Sequence, residues 1–140
     1  METKKLQLRV MDFSEDPGPR YCSQGDDSGE DFYHTKLNKQ FKEAIESNTI
    51  LVLDLDGPNG YASSFLDEAV GNLVYDFGAT NVNRYMEIIS NEEPEWINML
   101  KNETIPQWEQ RRIEKKCPKS TKTYDTTWYF DFNDNQFKIK

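Results

Sequence analysis

Leu6, Leu8 and Val10 alternate with Gln7 and Arg9, a period of two that predicts a half-buried first strand ending near Phe13. Residues 14–29 are rich in Pro, Gly, Asp and Ser and read as a long loop with a short extended piece at Arg20–Cys22. Ser28-Gly29-Glu30-Asp31 then has the form of a helix start, a serine cap followed by acidic residues in the first turn. Tyr33, Leu37, Phe41, Ala44 and Ile45 recur at helical spacing to about Ser47, and Asn48 or Thr49 ends the helix. Thr49–Leu55 is a nearly continuous apolar run, the pattern of a central strand covered on both faces. After a Gly57–Gly60 turn, Ser63 or Ser64 is placed to cap a second helix. Its stripe is Phe65, Leu66, Ala69, Val70, Leu73, Val74 and Phe77, with Gly78 as the stop. Tyr85–Ile89 reads as a further strand. Pro94 opens a helix with Trp96, Ile97 and Leu100 on its apolar side, and Thr104-Ile105-Pro106 restarts one carrying Trp108 and Ile113. Trp128, Phe130 and Phe132 alternate with polar neighbours, Asn133-Asp134-Asn135 turns the chain, and Phe137 and Ile139 alternate again, which predicts a hairpin. The order of elements predicts an α/β fold, a mixed β-sheet with packed helices plus a C-terminal β-hairpin over 126–140.

Composition narrows the function more than the fold. The 140 residues amount to one domain, read here as 1–140, with 36% apolar, 13% aromatic and 30% charged residues. A net charge of −8 argues against nonspecific binding to nucleic acid or an anionic membrane, both of which need a basic face. No apolar run reaches membrane-spanning length, and Met1–Lys5 lacks the apolar segment of a signal peptide, so a cytoplasmic protein is expected. Cys22 and Cys117 are far apart without metal-ligand spacing, which predicts reduced thiols and neither a disulfide framework nor a zinc site. His34 is the only histidine, so any histidine-dependent triad or dyad rests on that residue alone. No cofactor is called for.

The stretch Leu51–Leu73, LVLDLDGPNGYASSFLDEAVGNL, concentrates the candidate chemistry. It reads as a buried strand with two carboxylates at its C-terminal end, a glycine turn, and two serines opening an amphipathic helix. Sites in open α/β sheets gather at the C-terminal ends of strands. Asp54-Leu55-Asp56-Gly57 matches the first four positions of the nucleophile motif of haloacid-dehalogenase-like phosphatases. That resemblance implies Asp54 as nucleophile, Asp56 as general acid/base and magnesium on the phosphate. Pro58 stands where that motif has threonine, and no paired acidic motif follows downstream.

The same stretch more closely resembles STAS domains, the sulphate transporter and anti-sigma factor antagonist family. Asp54 and Gly57 match a first block, and Ser63, Ser64 and Leu66 a second, while Ala62 and Phe65 replace an aspartate and a glycine. Closer still is the likeness to the STAS-like domain family of unknown function found in bacterial and phage genomes. It is carried by Asp54-Leu55-Asp56-Gly57, by Gly60-Tyr61-Ala62-Ser63-Ser64-Phe65-Leu66, and by Pro17, Arg20, Tyr21, Ser28, Gly29, Glu30 and Phe32, mainly over residues 13–80. The resemblance implies a non-enzymatic, protein-binding regulator. Its implied partner is a histidine-kinase-like ATPase, and its implied phosphoacceptor is Ser63. The partner-binding surface would be formed by Arg20, Asp54, Asp56, Tyr61, Ser63, Ser64 and Asp67, flanked by the 17–32 loop. The alternatives are a small magnesium-dependent phosphatase using Asp54 and Asp56, and an acidic phage or mobile-element inhibitor that binds a host enzyme.

The remaining features have simpler readings. Asp67 and Glu68 fit as dipole partners in the first turns of their helix. Arg20 is placed to pair with the Asp54–Asp56 end, to grip a phosphate, or to stand solvated in its loop. Arg111, Arg112, Lys115, Lys116, Lys119 and Lys122 form the one basic cluster, expected to complement the dipole of a helix C-terminal half. His34 is expected at the surface, and Trp96, Trp108 and Trp128 in the core.

Overall fold

The computed structural model describes residues 5–140. The reading of Met1–Lys4 as part of a segment without a signal peptide therefore lies outside the described residues. Three strands, β1 (Lys5–Arg9), β2 (Ile50–Asp54) and β3 (Met86–Ile89), form a parallel sheet in the order β1-β2-β3. A one-turn helix, α1 (Val10–Phe13), follows β1 where the sequence pattern extended the strand. The first crossover carries α2 (Gly29–Phe32), a π-helical turn (Tyr33–Leu37) and α3 (Asn38–Glu46) in one unbroken helical run. The second carries α4 (Ser63–Phe77) and α5 (Ala79–Tyr85). A second unbroken run follows β3: α6 (Glu95–Met99), a π-helical turn (Leu100–Thr104) and α7 (Ile105–Ile113).

The strand register sorts the residues into two faces. Leu6, Leu51 and Met86 lie side by side, as do Leu8, Leu53 and Ile88, and all six belong to or pack on the core. The opposite face carries Lys5, Gln7, Arg9 and Glu87, all exposed. β2 is thus interior as its apolar run predicts, but it is not covered on both faces. Val52 is 2% exposed between Gln7 and Glu87, and Lys5 Nζ meets Glu87 Oε2 at 3.0 Å across the sheet. Long polar side chains with aliphatic stems take the place of a second helical layer.

α4 is the central helix, buried around most of its surface, including the expected Phe65, Leu66, Ala69, Leu73 and Phe77. Gly71 lets α7 approach it: a Cβ there would stand 2.1 Å from Trp108 Cε2. Gly78 ends α4 with φ at +86°, a conformation that favours glycine. The Pro106 restart is instead a continuous helix. The π turn just before Pro106 widens the backbone where the proline ring would strike the preceding carbonyls.

Parallel and antiparallel pairing are both present, in separate sheets. The hairpin β4 (Trp128–Asp131) and β5 (Gln136–Ile139) does not extend the parallel sheet but packs on the helices. Asn38 docks it: Asn38 Nδ2 donates to Trp128 O at 2.8 Å, and Trp128 N donates to Asn38 Oδ1 at 2.9 Å. Phe137 meets Phe77, and Lys42 Nζ lies 4.1 Å from the Trp128 ring centre. Phe132 lies with its ring against Gly78 and Arg112, 5.1 Å from the guanidinium carbon, though it is 47% exposed, and Ile113 is exposed.

Between α7 and the hairpin, residues 114–127 cross the molecule as a strap without helix. Lys115, Lys116, Lys119 and Lys122 lie on it, so only Arg111 and Arg112 occupy the last turn of α7. The strap closes over Glu30, which accepts from Thr121 N at 2.6 Å, Ser120 Oγ at 3.1 Å and the Thr121 hydroxyl. His34 is 8% exposed rather than superficial. It stacks on Tyr124 at 4.4 Å and shares a 2.9 Å bond with Thr127 Oγ1. Trp108 is in the core as expected, whereas Trp96 and Trp128 are half-buried.

Candidate functional site

The candidate site is the β2–α4 loop, Leu55–Ala62, at the C-terminal end of the sheet. Asp54 ends β2, and its Oδ1 accepts from Asp56 N at 2.9 Å, an aspartate turn that sends the chain away from the strand. Asp56 reaches sideways to the segment after β3. It accepts from Glu92 N at 2.9 Å and from Asn91 Nδ2 at 3.0 Å. The Glu92 N–H holds its carboxyl below the usual range, with Asn91 adding to this. Gly57 N donates back to Glu92 Oε1 at 2.6 Å, and Gly57 has a φ of +112° with the Met11 side chain beneath it. On the other side Asn59 bonds Glu15 O at 2.9 Å and Asp16 Oδ1 at 2.8 Å. The loop is therefore bracketed from two directions and rimmed by carboxylates.

Tyr61 is anchored by its hydroxyl, which donates to Leu55 O at 2.6 Å, and its ring packs against Phe65 and Trp96. Burial and the neighbouring Asp54 and Asp56 push that hydroxyl far up, so it stays protonated. The helix that follows departs from the sequence pattern. Ala62 is the N-cap, no side chain caps α4, and Ser63 and Ser64 are its first two residues. Ser63 is exposed and Ser64 half-buried. The first N–H groups of a helix have no intrahelical partner, so Ser63 sits on a positively polarised helix end that no side chain caps.

The structure divides the candidate residues. Asp54, Asp56, Tyr61, Ser63 and Ser64 belong to this loop and helix end. Arg20 and Asp67 do not. Arg20 Nη1 donates to Asp67 Oδ2 at 2.8 Å and to Glu68 Oε1 at 3.1 Å. Asp67 Oδ1 also accepts from Thr104 Oγ1 at 3.0 Å and Trp108 Nε1 at 3.3 Å. Asp67 and Glu68 thus tie the 17–32 loop to α4 and α7, and they lie beyond the first turn of α4, which holds no acidic residue, rather than serving as its dipole partners. Burial raises the Glu68 carboxyl despite Asn72 and Arg20. Burial alone would lower the Arg20 guanidinium, yet its bonds to Asp67 and Glu68 raise it overall. Among the described residues, no group of three or more His, Cys, Asp or Glu side chains is arranged to hold a metal ion.

Sequence reasoning missed Asn91 and Glu92. Their signal was positional: in a parallel sheet the loop after β3 lies beside the loop after β2.

An open parallel sheet, an Asp-x-Asp-Gly strand end and a Ser-Ser helix start now stand in one place. Residues 28–96 match the family model described as a STAS-like domain of unknown function. That segment belongs to the STAS-like family. It contains β2, the candidate loop, α4 and β3, while Arg20 and β1 precede it. Neither a curated protein nor a solved structure matches the chain. Among the described residues, no helix of the chain is long and apolar enough to cross a membrane.

Proposed function

We propose that this STAS-like chain is a non-enzymatic regulator that binds a protein partner through the β2–α4 loop, and that Ser63 is its switch. The observation that carries the reading is the exposed Ser63 at an uncapped α4 N-terminus, closing the loop that opens with Asp54 and Asp56. A hydroxyl there is neutral and accessible. A phosphoryl group in place of its proton adds about two negative charges, which meet favourable N–H donors on one side and repelling carboxylates on the other. The surface offered to a partner then differs between the two states in charge and in local order. The partner class is a histidine-kinase-like ATPase, which would both read the surface and supply the phosphoryl group. Both Asp54 and Asp56 accept bonds that hold the loop, which favours a framework role for them over the phosphatase reading.

The test uses the purified chain and a purified histidine-kinase-like ATPase as the candidate partner. Ser63→Asp is expected to weaken binding about tenfold or more, on the order of the coupling seen in switches of this kind. Ser63→Ala should bind as the unmodified chain does and no longer respond to ATP. Equal binding by both variants, with no phosphoryl group on Ser63 by mass spectrometry, would overturn the reading.

A further inference from the structure

The opposite end of the sheet carries a second surface. A groove of 690 Å³ runs beside β3, lined by Lys5, Val82, Arg84, Glu87, Lys101 and Ile105 among others. Lys5, Ile50 and Met86 are the first residues of β1, β2 and β3, so the groove lies away from Ser63, which follows their far ends. β3 is an edge strand: among the described residues it pairs with β2 alone.

The backbone of β3 shows which groups are free. Ile89 O accepts from Leu55 N at 2.8 Å, so Ile89 and Glu87 turn their peptide groups toward β2. Alternate residues of a strand direct these groups to opposite sides, so those of Met86 and Ile88 point outward. Met86 N–H closes α5 on Val82 O. Among the described residues, Met86 C=O and both Ile88 groups have no partner and face the groove, a ready set of main-chain partners for an added strand.

Side chains set the chemistry of what fits. Val82 and Ile105 are buried beneath the groove and give an apolar floor. Among the described residues lining the groove, Lys5, Arg84 and Lys101 set three cations against the carboxylate of Glu87, which Lys5 already pairs. On a chain of net charge −8 this is a local excess of positive charge, and at physiological salt local charge governs, because screening acts over about 8 Å. A second copy of the chain fits poorly. The other edge strand among the described residues, β1, carries Lys5 and Arg9, and β3 against β3 would bring cations to cations.

We propose that the outer edge of β3 takes an extended segment of a protein partner in which acidic and apolar residues alternate, adding it to the sheet as a fourth strand. Apolar side chains of that segment rest on the Val82–Ile105 floor, and its carboxylates meet Arg84 and Lys101. This surface is independent of Ser63.

The test uses the full chain and two blocked octapeptides, one alternating Glu with Val and one alternating Lys with Val, with amide hydrogen exchange read at Ile88. The Ile88 amide should exchange readily in the free chain and slow by roughly tenfold or more with the acidic peptide at millimolar concentration, but not with the basic one. The double variant Arg84→Glu/Lys101→Glu should exchange the preference between the peptides. If that variant does not fold, the two peptides on the unmodified chain decide. An Ile88 amide already protected in the free chain, no slowing by the acidic peptide, or equal slowing by both peptides would overturn the proposal. So would protection that rises with concentration of the chain itself, which would make the occupant a second copy.

Discussion

His34 is a neutral imidazole held under the strap. Burial lowers it, Lys140 and Lys39 add to this, and Glu30 and Asp31 oppose it, bringing its pKa from 6.5 to about 4. Between those values the unfolded chain binds a proton that the folded chain does not, so stability is fully present above 6.5 and falls as pH drops toward 4. At pH 5 the loss from this one group is about 2 kcal/mol. Urea unfolding at pH 7.5 and pH 5 should show the unmodified chain losing that much more than His34→Gln, whose side chain still reaches for Thr127 but does not titrate in this range. Equal pH dependence in the two chains would show that His34 is not buried in the neutral form.

At the scale of elements the hairpin depends on helix α3 rather than on the sheet. Asn38 satisfies both the N–H and the C=O of Trp128, as a neighbouring strand would. Asn38→Ala leaves both without partners and should cost about 2 kcal/mol. Deleting residues 126–140 uncovers Tyr33, Asn38 and Asp76 together and should lower the melting temperature by roughly 10 °C or more; an unchanged melting temperature would make the hairpin an appendage. Elements with a clear period were legible in the sequence: β2, the α4 stripe and the alternating hairpin. α5 was not, because Ala79–Tyr85 buries only Val82 and follows a glycine that reads as a stop. The strap was hidden because its anchors are single polar contacts across about 90 positions of sequence, such as Thr121 to Glu30, which no local pattern encodes. In the candidate site, the loop bearing Asp54, Asp56, Tyr61 and Ser63 was legible from strand, turn and helix signals. The engagement of Arg20 with Asp67 and Glu68 was not, because charge alone does not say which of several carboxylates an arginine meets. Ser63 as a first helical residue rather than a cap was missed because Ala62 carries no capping signal.

Across the whole molecule, the segment that matches the STAS-like family, residues 28–96, is not a self-sufficient core. β1 supplies Leu8, and α7 supplies Ile105 and Trp108, all from outside it. Within it Glu30 and Glu68 are buried and draw on Thr121 and Arg20, also outside it. A fragment of residues 28–96 should therefore lack fixed tertiary structure. Its near-ultraviolet circular dichroism should be flat where the full chain shows aromatic bands, and a two-state melt of the fragment would show that the flanking elements are accessory.

The strap also sets an order of events during synthesis. Glu30 gains its bonds to Ser120 and Thr121, and Asn38 its bonds to Trp128, only after about 90 further residues have been made. Translation proceeds at roughly 5–20 residues per second, so the first crossover waits several seconds with a carboxylate and an amide that are destined for burial still in water. The first crossover therefore completes its packing only once the strap and β4 have left the ribosome. A ribosome that stalls within the strap leaves a product with buried polar groups unsatisfied, the kind of partly folded chain that quality-control proteases remove.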